Sequence, residues 1–276
     1  MDVTDLGDDG RPAQLRTVLA RNDVCDGTAI WITAIGTISL QQGELAVEGK
    51  TLTISGQRGR YKHAIDAGGR SRVFRIRGGS VTLNQLTITG GQADDGGGIN
   101  LFLGDLTLTA VDLTRNRAGA NGGGLFADVG STVAIDNSSV ADNVAALDGG
   151  ALFNSGDRRP LYSWAPATLR IGSSTISGNV AQGVGGGVLN GDGATLTVEQ
   201  STISGNLAWG SGGGGIDNAG TVTVRYSTVA GNTSGHSPDS RPPVPFDVRN
   251  DWASGALFHS IQSTVGMCVP ESSCEL

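Results

Sequence analysis

One unit returns six times along this chain: an apolar-x-apolar strand, a Ser/Thr-Ile/Val pair, a corner residue and a run of glycines. Its first apolar residue falls at Val81, Leu106, Val133, Leu169, Leu196 and Val222, at intervals of 25, 27, 36, 27 and 26 residues. Ten residues after each comes the corner: Gly91, Asn116, Asn143, Asn179, Asn206 and Asn232. Behind the glycines an apolar residue follows: Ile99, Leu125, Leu152, Val188 and Ile216. A coil of this length cannot bury its apolar face alone, so stacked neighbours must cover it. The spacing predicts an all-β solenoid, a single-stranded parallel β-helix forming one domain over residues 1–276.

Within the strands, Val81/Leu83, Leu106/Leu108 and their equivalents alternate with Thr82, Thr107, Ala134, Arg170, Thr197 and Thr223, so the latter point outward. Regular coils are expected over 81–232. Residues 29–80 read as irregular first coils, and 233–276 as a loop, a last coil and a C-terminal cap. Residues 12–22 carry Leu15, Val18 and Leu19 at helical spacing behind Pro12. They predict an amphipathic helix that covers the first coil. Asparagine at the corners suits a left-handed backbone and can hydrogen-bond from coil to coil. The same structural role is expected of Asn154, Asn190 and Asn218. Glycine runs such as Gly122–Gly124 lack a phosphate-loop pattern and read as tight coil geometry.

The 276 residues carry a formal charge of −7. An acidic surface repels phosphate backbones, so nucleic acid is not an expected partner. No apolar run reaches membrane-spanning length. The chain is then either cytoplasmic or one whose signal peptide lies outside the sequence. Asp5, Asp8 and Asp9 lack the spacing of a calcium loop, and no Cys/His pattern suggests a metal. Cys268 and Cys274 could close a small loop, leaving Cys25 odd.

The segments Gly-Thr-Ile-Ser-Leu-Gln-Gln-Gly-Glu-Leu (36–45), Leu-Thr-Ile-Ser-Gly (52–56), Ser-Arg-Val-Phe-Arg-Ile (71–76) and Leu-Thr-Ile-Thr-Gly-Gly (86–91) resemble a large bacterial family. Its members are right-handed parallel β-helix proteins, secreted or surface-anchored, related in repeat pattern to the polymorphic outer-membrane proteins. The opening Asp5-Leu-Gly-Asp-Asp-Gly and Gln14-Leu-Arg resemble that family's N-terminal Cys-Ser-Leu-Arg-Glu-Ala module. Leu15-Arg16 fits; the cysteine and the Glu-Ala do not. The ending, Val-Ala-Gly-Asn-Thr (229–233) followed by a Pro/Asp loop, also resembles these proteins. The resemblance implies a right-handed helix and a secreted or cell-surface location.

Two coils run long, at Ser155–Pro166 and Ser234–Phe246. These insertions leave opposite ends of the glycine-strand face, which makes that face the candidate site. Phe126 and Phe153 should stack outward there, in one column with Asn100, Leu189 and Asp217. Phe126, Phe153, Trp164, Arg158 and Arg241 are the candidate ligand contacts, since stacking rings and guanidinium donors suit a sugar chain. The expected partner is a polysaccharide or cell-surface glycan, and the function that of a non-catalytic binding, adhesive or structural module. The alternative is a polysaccharide lyase or glycoside hydrolase. Its catalytic candidates are Asp95, Asp148, Tyr162, His236, Arg158 and Arg159, with calcium possible as a neutralising cation. Asp95 and Asp148 should stand about two coil spacings, near 10 Å, apart, and turn roles compete for both. A threonine ladder that binds ice is interrupted by Ala134 and Arg170. Beyond a monomer, an open stack of coils could also pair end to end.

Overall fold

The structure, a computed structural model, describes residues 1–24, 26–56, 62–156, 165–235, 244–251, 255–266, 268–269 and 274–275. The chain winds into a parallel β-helix, and the described residues form four sheets, of eleven, nine, seven and nine strands. One coil shows how. Asp105–Thr109 lies on the first sheet, Asp112–Thr114 on the second, Arg117–Ala118 on the corner sheet and Leu125–Ala127 on the glycine-strand sheet. Each strand pairs in parallel with its equivalent one coil away, so Leu106 meets Val81 on one side and Val133 on the other.

The register turns each sequence position into a column. On the first sheet, Leu52, Val81, Leu106, Val133, Leu169, Leu196, Val222 and Phe258 stack inward. Each is at most 2% exposed. The second sheet supplies Ile38, Ile65, Ile88, Leu113, Val140, Ile176, Ile203 and Val229. One continuous core runs the length of the stack. It extends further toward the N-terminus than the repeat signature does, because Thr28–Ile32, Leu45–Glu48 and His63–Asp66 already keep this register. Those coils lack the corner asparagine and the glycine run, which hides them from a repeat search.

Three polar ladders hold the corners. Asn116, Asn143, Asn179, Asn206 and Asn232 each pass an amide hydrogen bond to the next coil, and Asp247 accepts the last one. The backbone N–H of each asparagine donates to the same acceptor as its side chain. These side chains are thus fully employed inside the wall, which answers the demand that buried polar groups be paired. The left-handed residue is not the asparagine. It is the residue before it: Arg115, Asp142, Gly178, Gly205 or Gly231, with φ between 55° and 75°. The asparagine is therefore selected by its amide, not by its backbone. A second ladder runs inward through Asn154, Asn190, Asn218 and Asn250.

The third ladder is of serine, and the repeat signature does not announce it. Ser138, Ser174, Ser201, Ser227 and Ser263 each accept a backbone N–H from the coil before through Oγ. Each follows a left-handed corner at Asn137, Ser173, Gln200, Tyr226 or Gln262, where φ lies between 46° and 51°. Non-glycine residues tolerate this region at some cost, which the serine hydrogen bond offsets. The glycine runs have a steric origin. A Cβ on Gly123 would stand 2.3 Å from the Gly150 carbonyl, and one on Gly150 2.3 Å from that of Gly186.

The predicted cap helix covers Leu15–Leu19 only, with Leu15, Val18 and Leu19 buried. Gln14 explains the shorter span. Its extended backbone bridges Asp5, and its side-chain oxygen takes the N–H groups of Gly10 and Arg11, which fixes a turn ahead of the helix. Arg16 ties the helix down by donating to Asp8 and to the carbonyls of Gly43 and Glu44. Among the described residues, no helix is long and apolar enough to cross a membrane.

Candidate functional site

The glycine-strand sheet carries the expected outward column. Arg75, Asn100, Phe126, Phe153, Leu189, Asp217 and Arg249 follow one another on successive coils. Phe126 and Phe153 do stack, with ring centroids 4.9 Å apart and planes inclined by 20°. This geometry changes what the pair offers. Rings lying flat and side by side would need a wider separation, so these overlap face to face and turn their edges outward. The faces between them are used up by the ladder, and a sugar ring cannot lie on them. The pair contributes an apolar ridge rather than a stacking platform.

Asp95 and Asp148 occupy the turn before their glycine runs, in one column with Asn121 between them. Asp95 accepts from the backbone and side-chain nitrogens of Asn121, at 3.0 and 3.1 Å. Asn121 in turn accepts from the backbone of Asp148, whose carboxylate takes the Val184 N–H at 2.8 Å. Both carboxylates thus anchor one coil to the next. Arg158, Arg159, Tyr162, Trp164, His236 and Arg241 lie outside the described residues. On the corner sheet, Thr233–Ser234 lies antiparallel to Val244–Pro245.

The structure singles out Asp217. It stands on the outward column yet is only 1% exposed. Arg249, its partner on the next coil, donates to one carboxylate oxygen at 2.8 Å, and the Gly213 N–H donates to the other at 3.1 Å. The second oxygen lies over Gly212, where an added Cβ would come within 1.9 Å of it. Glycine at 212 is what makes room for the carboxylate. Burial pushes the Asp217 carboxyl above the ordinary range against the pull of Arg249 and the Gly213 amide, and the nearby Asp148 charge adds to the upward push. A carboxyl of raised pKa, an arginine and a second carboxylate therefore meet at one end of the column. The sequence held two signs of it. The glycine run is four residues long at 212–215, and aspartate follows the apolar Phe126, Phe153 and Leu189 on the column.

The opposite end of the column is also charged. Glu44 takes hydrogen bonds from Arg72 and Arg75, while Arg75 also pairs with Glu48. Arg77 lies over the Phe102 ring, 5.3 Å from its centroid. Among the described residues, no three or more His, Cys, Asp or Glu side chains are grouped to hold a metal ion. Asp5 and Asp9 are engaged by Gln14, and Asp8 by Arg16.

No protein family matches this chain, and no curated protein does. Two solved structures share its fold. The structure of Jun a 1, the major allergen from cedar pollen, aligns over 100% of this chain and 79% of its own with a TM-score of 0.56 at 14% identity. That of the pectate lyase Pel9A aligns over 100% of this chain and 78% of its own, at a TM-score of 0.50 and 14% identity. The chain has the right-handed parallel β-helix fold of these two proteins.

Proposed function

We propose that the glycine-strand face binds a polysaccharide outside the cell, with Asp217 and Arg249 as its polar clamp. One observation carries this reading: an aspartate on an outward column is kept buried above its ordinary pKa. Burying an ionisable group works against stability, so a fold that retains one has a use for it. Arg249 is 36% exposed and offers directed donors to neighbouring sugar hydroxyls, while the buried Asp217 beside it holds the guanidinium in place. The Phe126–Phe153 ridge and Leu189 supply the apolar contact alongside. The likeness to a pectate lyase supports a polysaccharide as the ligand class, at the level of fold alone.

A second reading rests on the same carboxyl. A carboxyl that holds its proton more tightly than usual can deliver it to a glycosidic oxygen as the bond to the sugar breaks, while Asp148 draws a proton from the water that replaces it. The enzyme reading thus moves from the pair Asp95 and Asp148 to the pair Asp217 and Asp148.

Electrophoresis through gels containing neutral and acidic polysaccharides tests both. Binding predicts retardation by at least one polymer that Arg249→Ala relieves. Retardation by none would overturn the clamp. Reducing-end release that Asp217→Asn abolishes would establish the hydrolytic reading instead.

A further inference from the structure

A different part of the molecule carries a second site. The asparagine ladder stops at Gly91, whose backbone N–H donates to Asn116 Oδ1 at 2.8 Å. No side chain fits at this corner. A Cβ on Gly91 would lie 2.0 Å from the Gly97 carbonyl, and one on Gly90 2.1 Å from Asp66 Oδ1. The next corner back is also bare, at Gly68 and Gly69. Two adjoining depressions open over this floor, each of about 300 Å3, sharing Gly69, Gln92 and Arg117.

The walls are charged where the rest of the wall is not. The outward corner column reads Gln92, Arg117, Val144, Val180, Leu207 and Thr233, so arginine enters only beside the bare floor. Arg115 stands two residues away, at the left-handed corner position. Both guanidiniums are exposed, and among the described residues neither is ion-paired, although Asp94 and Asp142 edge the same depressions. With Arg70, which also lines the second depression, three guanidiniums face two carboxylates, a local charge of +1 in a chain of net charge −7.

The geometry points to a groove that takes a hydroxylated monocarboxylate, the acidic unit of a glycan. Two forks of N–H donors match a planar carboxylate. Asp94 and Asp142 repel a multiply charged anion such as phosphate, yet they accept from hydroxyls, as does the Gln92 amide oxygen. The volume is that of a small-ligand site at the lower end of the usual range.

Calorimetric titration of the whole chain with glucuronate, glucose and inorganic phosphate tests this. Saturable glucuronate binding is expected, weakened about tenfold or more in Arg117→Ala and in Arg115→Ala, each loss equivalent to one charge-assisted contact. Both positions are exposed, so the melting temperature should hold. Gln92→Trp, which fills the groove without removing a charge, should block binding as well. Absence of saturable glucuronate binding, equal affinity for glucose or phosphate, or unchanged affinity in both arginine variants would overturn the site. Retardation by a neutral polysaccharide at the Asp217–Arg249 clamp should survive all three variants, which separates the two sites.

Discussion

Arg249 lies beside Asp217 on the neighbouring coil and donates a 2.8 Å hydrogen bond to it, yet the aspartate still holds its proton more tightly than an ordinary carboxyl. Pairing does not recover what burial takes away. A carboxyl with a folded pKa above its unfolded one binds a proton preferentially in the folded state. Stability is then lost as pH rises from the unfolded value, about 3.9, through the raised folded one.

Asp217→Asn should therefore abolish that part of the pH dependence. Above the folded pKa its melting temperature should equal or exceed that of the parent chain, since Arg249 is 36% exposed and can turn to water. Thermal melts across pH 4–8 of both chains check this. A large drop for the variant at pH 7 would mean that the ion pair stabilises the fold and is not a cost carried for function.

Asp8 behaves in the opposite sense. Burial alone would raise its carboxyl, but hydrogen bonds from Arg16 and from the Gln42 and Gln41 amides outweigh it and hold the group below the ordinary range. A depressed folded pKa contributes stability above the unfolded value and loses it as pH falls through the folded one. Anchoring of the cap should thus weaken in acid, below about pH 4. Asp8→Asn should destabilise the chain by about 3 kcal/mol at neutral pH, the cost of breaking a buried pair, and flatten the acid limb of its stability curve. A neutral-pH effect within error, by urea denaturation, would show that the helix does not depend on this anchor.

Much of this was legible in the sequence, for a physical reason. Coil stacking forces equivalent residues into columns, so six repeats define the core, the corner asparagines and the Phe126–Phe153 contact without coordinates. What the repeat could not convey was the detail inside a column. The asparagines read as left-handed residues, whereas Arg115 and Asp142 before them carry the strain. The serine ladder was invisible because serine is common on exposed turns, and only the register shows its Oγ atoms aimed at N–H groups. Asp217 was legible as a position but not as a buried acid. That depends on how Gly212, Gly213 and Arg249 close around it.

The glycines separate two effects that sequence alone merges. At Gly150 a Cβ would collide with backbone of the next coil, at 2.3 Å from the Gly186 oxygen. At Gly231 φ is 75° but nothing lies within 4 Å of an added Cβ. Gly231→Ala should cost about 1 kcal/mol from conformation alone. Gly150→Ala must push coils apart and should cost about 3 kcal/mol or more. Equal costs in urea denaturation would mean that the coils can yield locally.

The asparagine ladder makes the strongest stability prediction. Asn179 accepts two hydrogen bonds from Asn143, through Nδ2 and the backbone N–H, and donates to Val140, Ser177 and Asn206. Asn179→Ala leaves two buried donors of Asn143 without a partner, at about 1–3 kcal/mol each. The expected loss is about 2–6 kcal/mol, read from the urea midpoint. Asn179→Asp keeps the acceptor for Asn143 but removes the donors. The native ladder tolerates that exchange only at its end, where Asp247 receives Asn232 and passes no amide onward. The aspartate variant should therefore fall between alanine and the parent chain. If alanine cost less than about 1 kcal/mol, the coils would be held by their apolar columns, and the amides would be passengers in the wall.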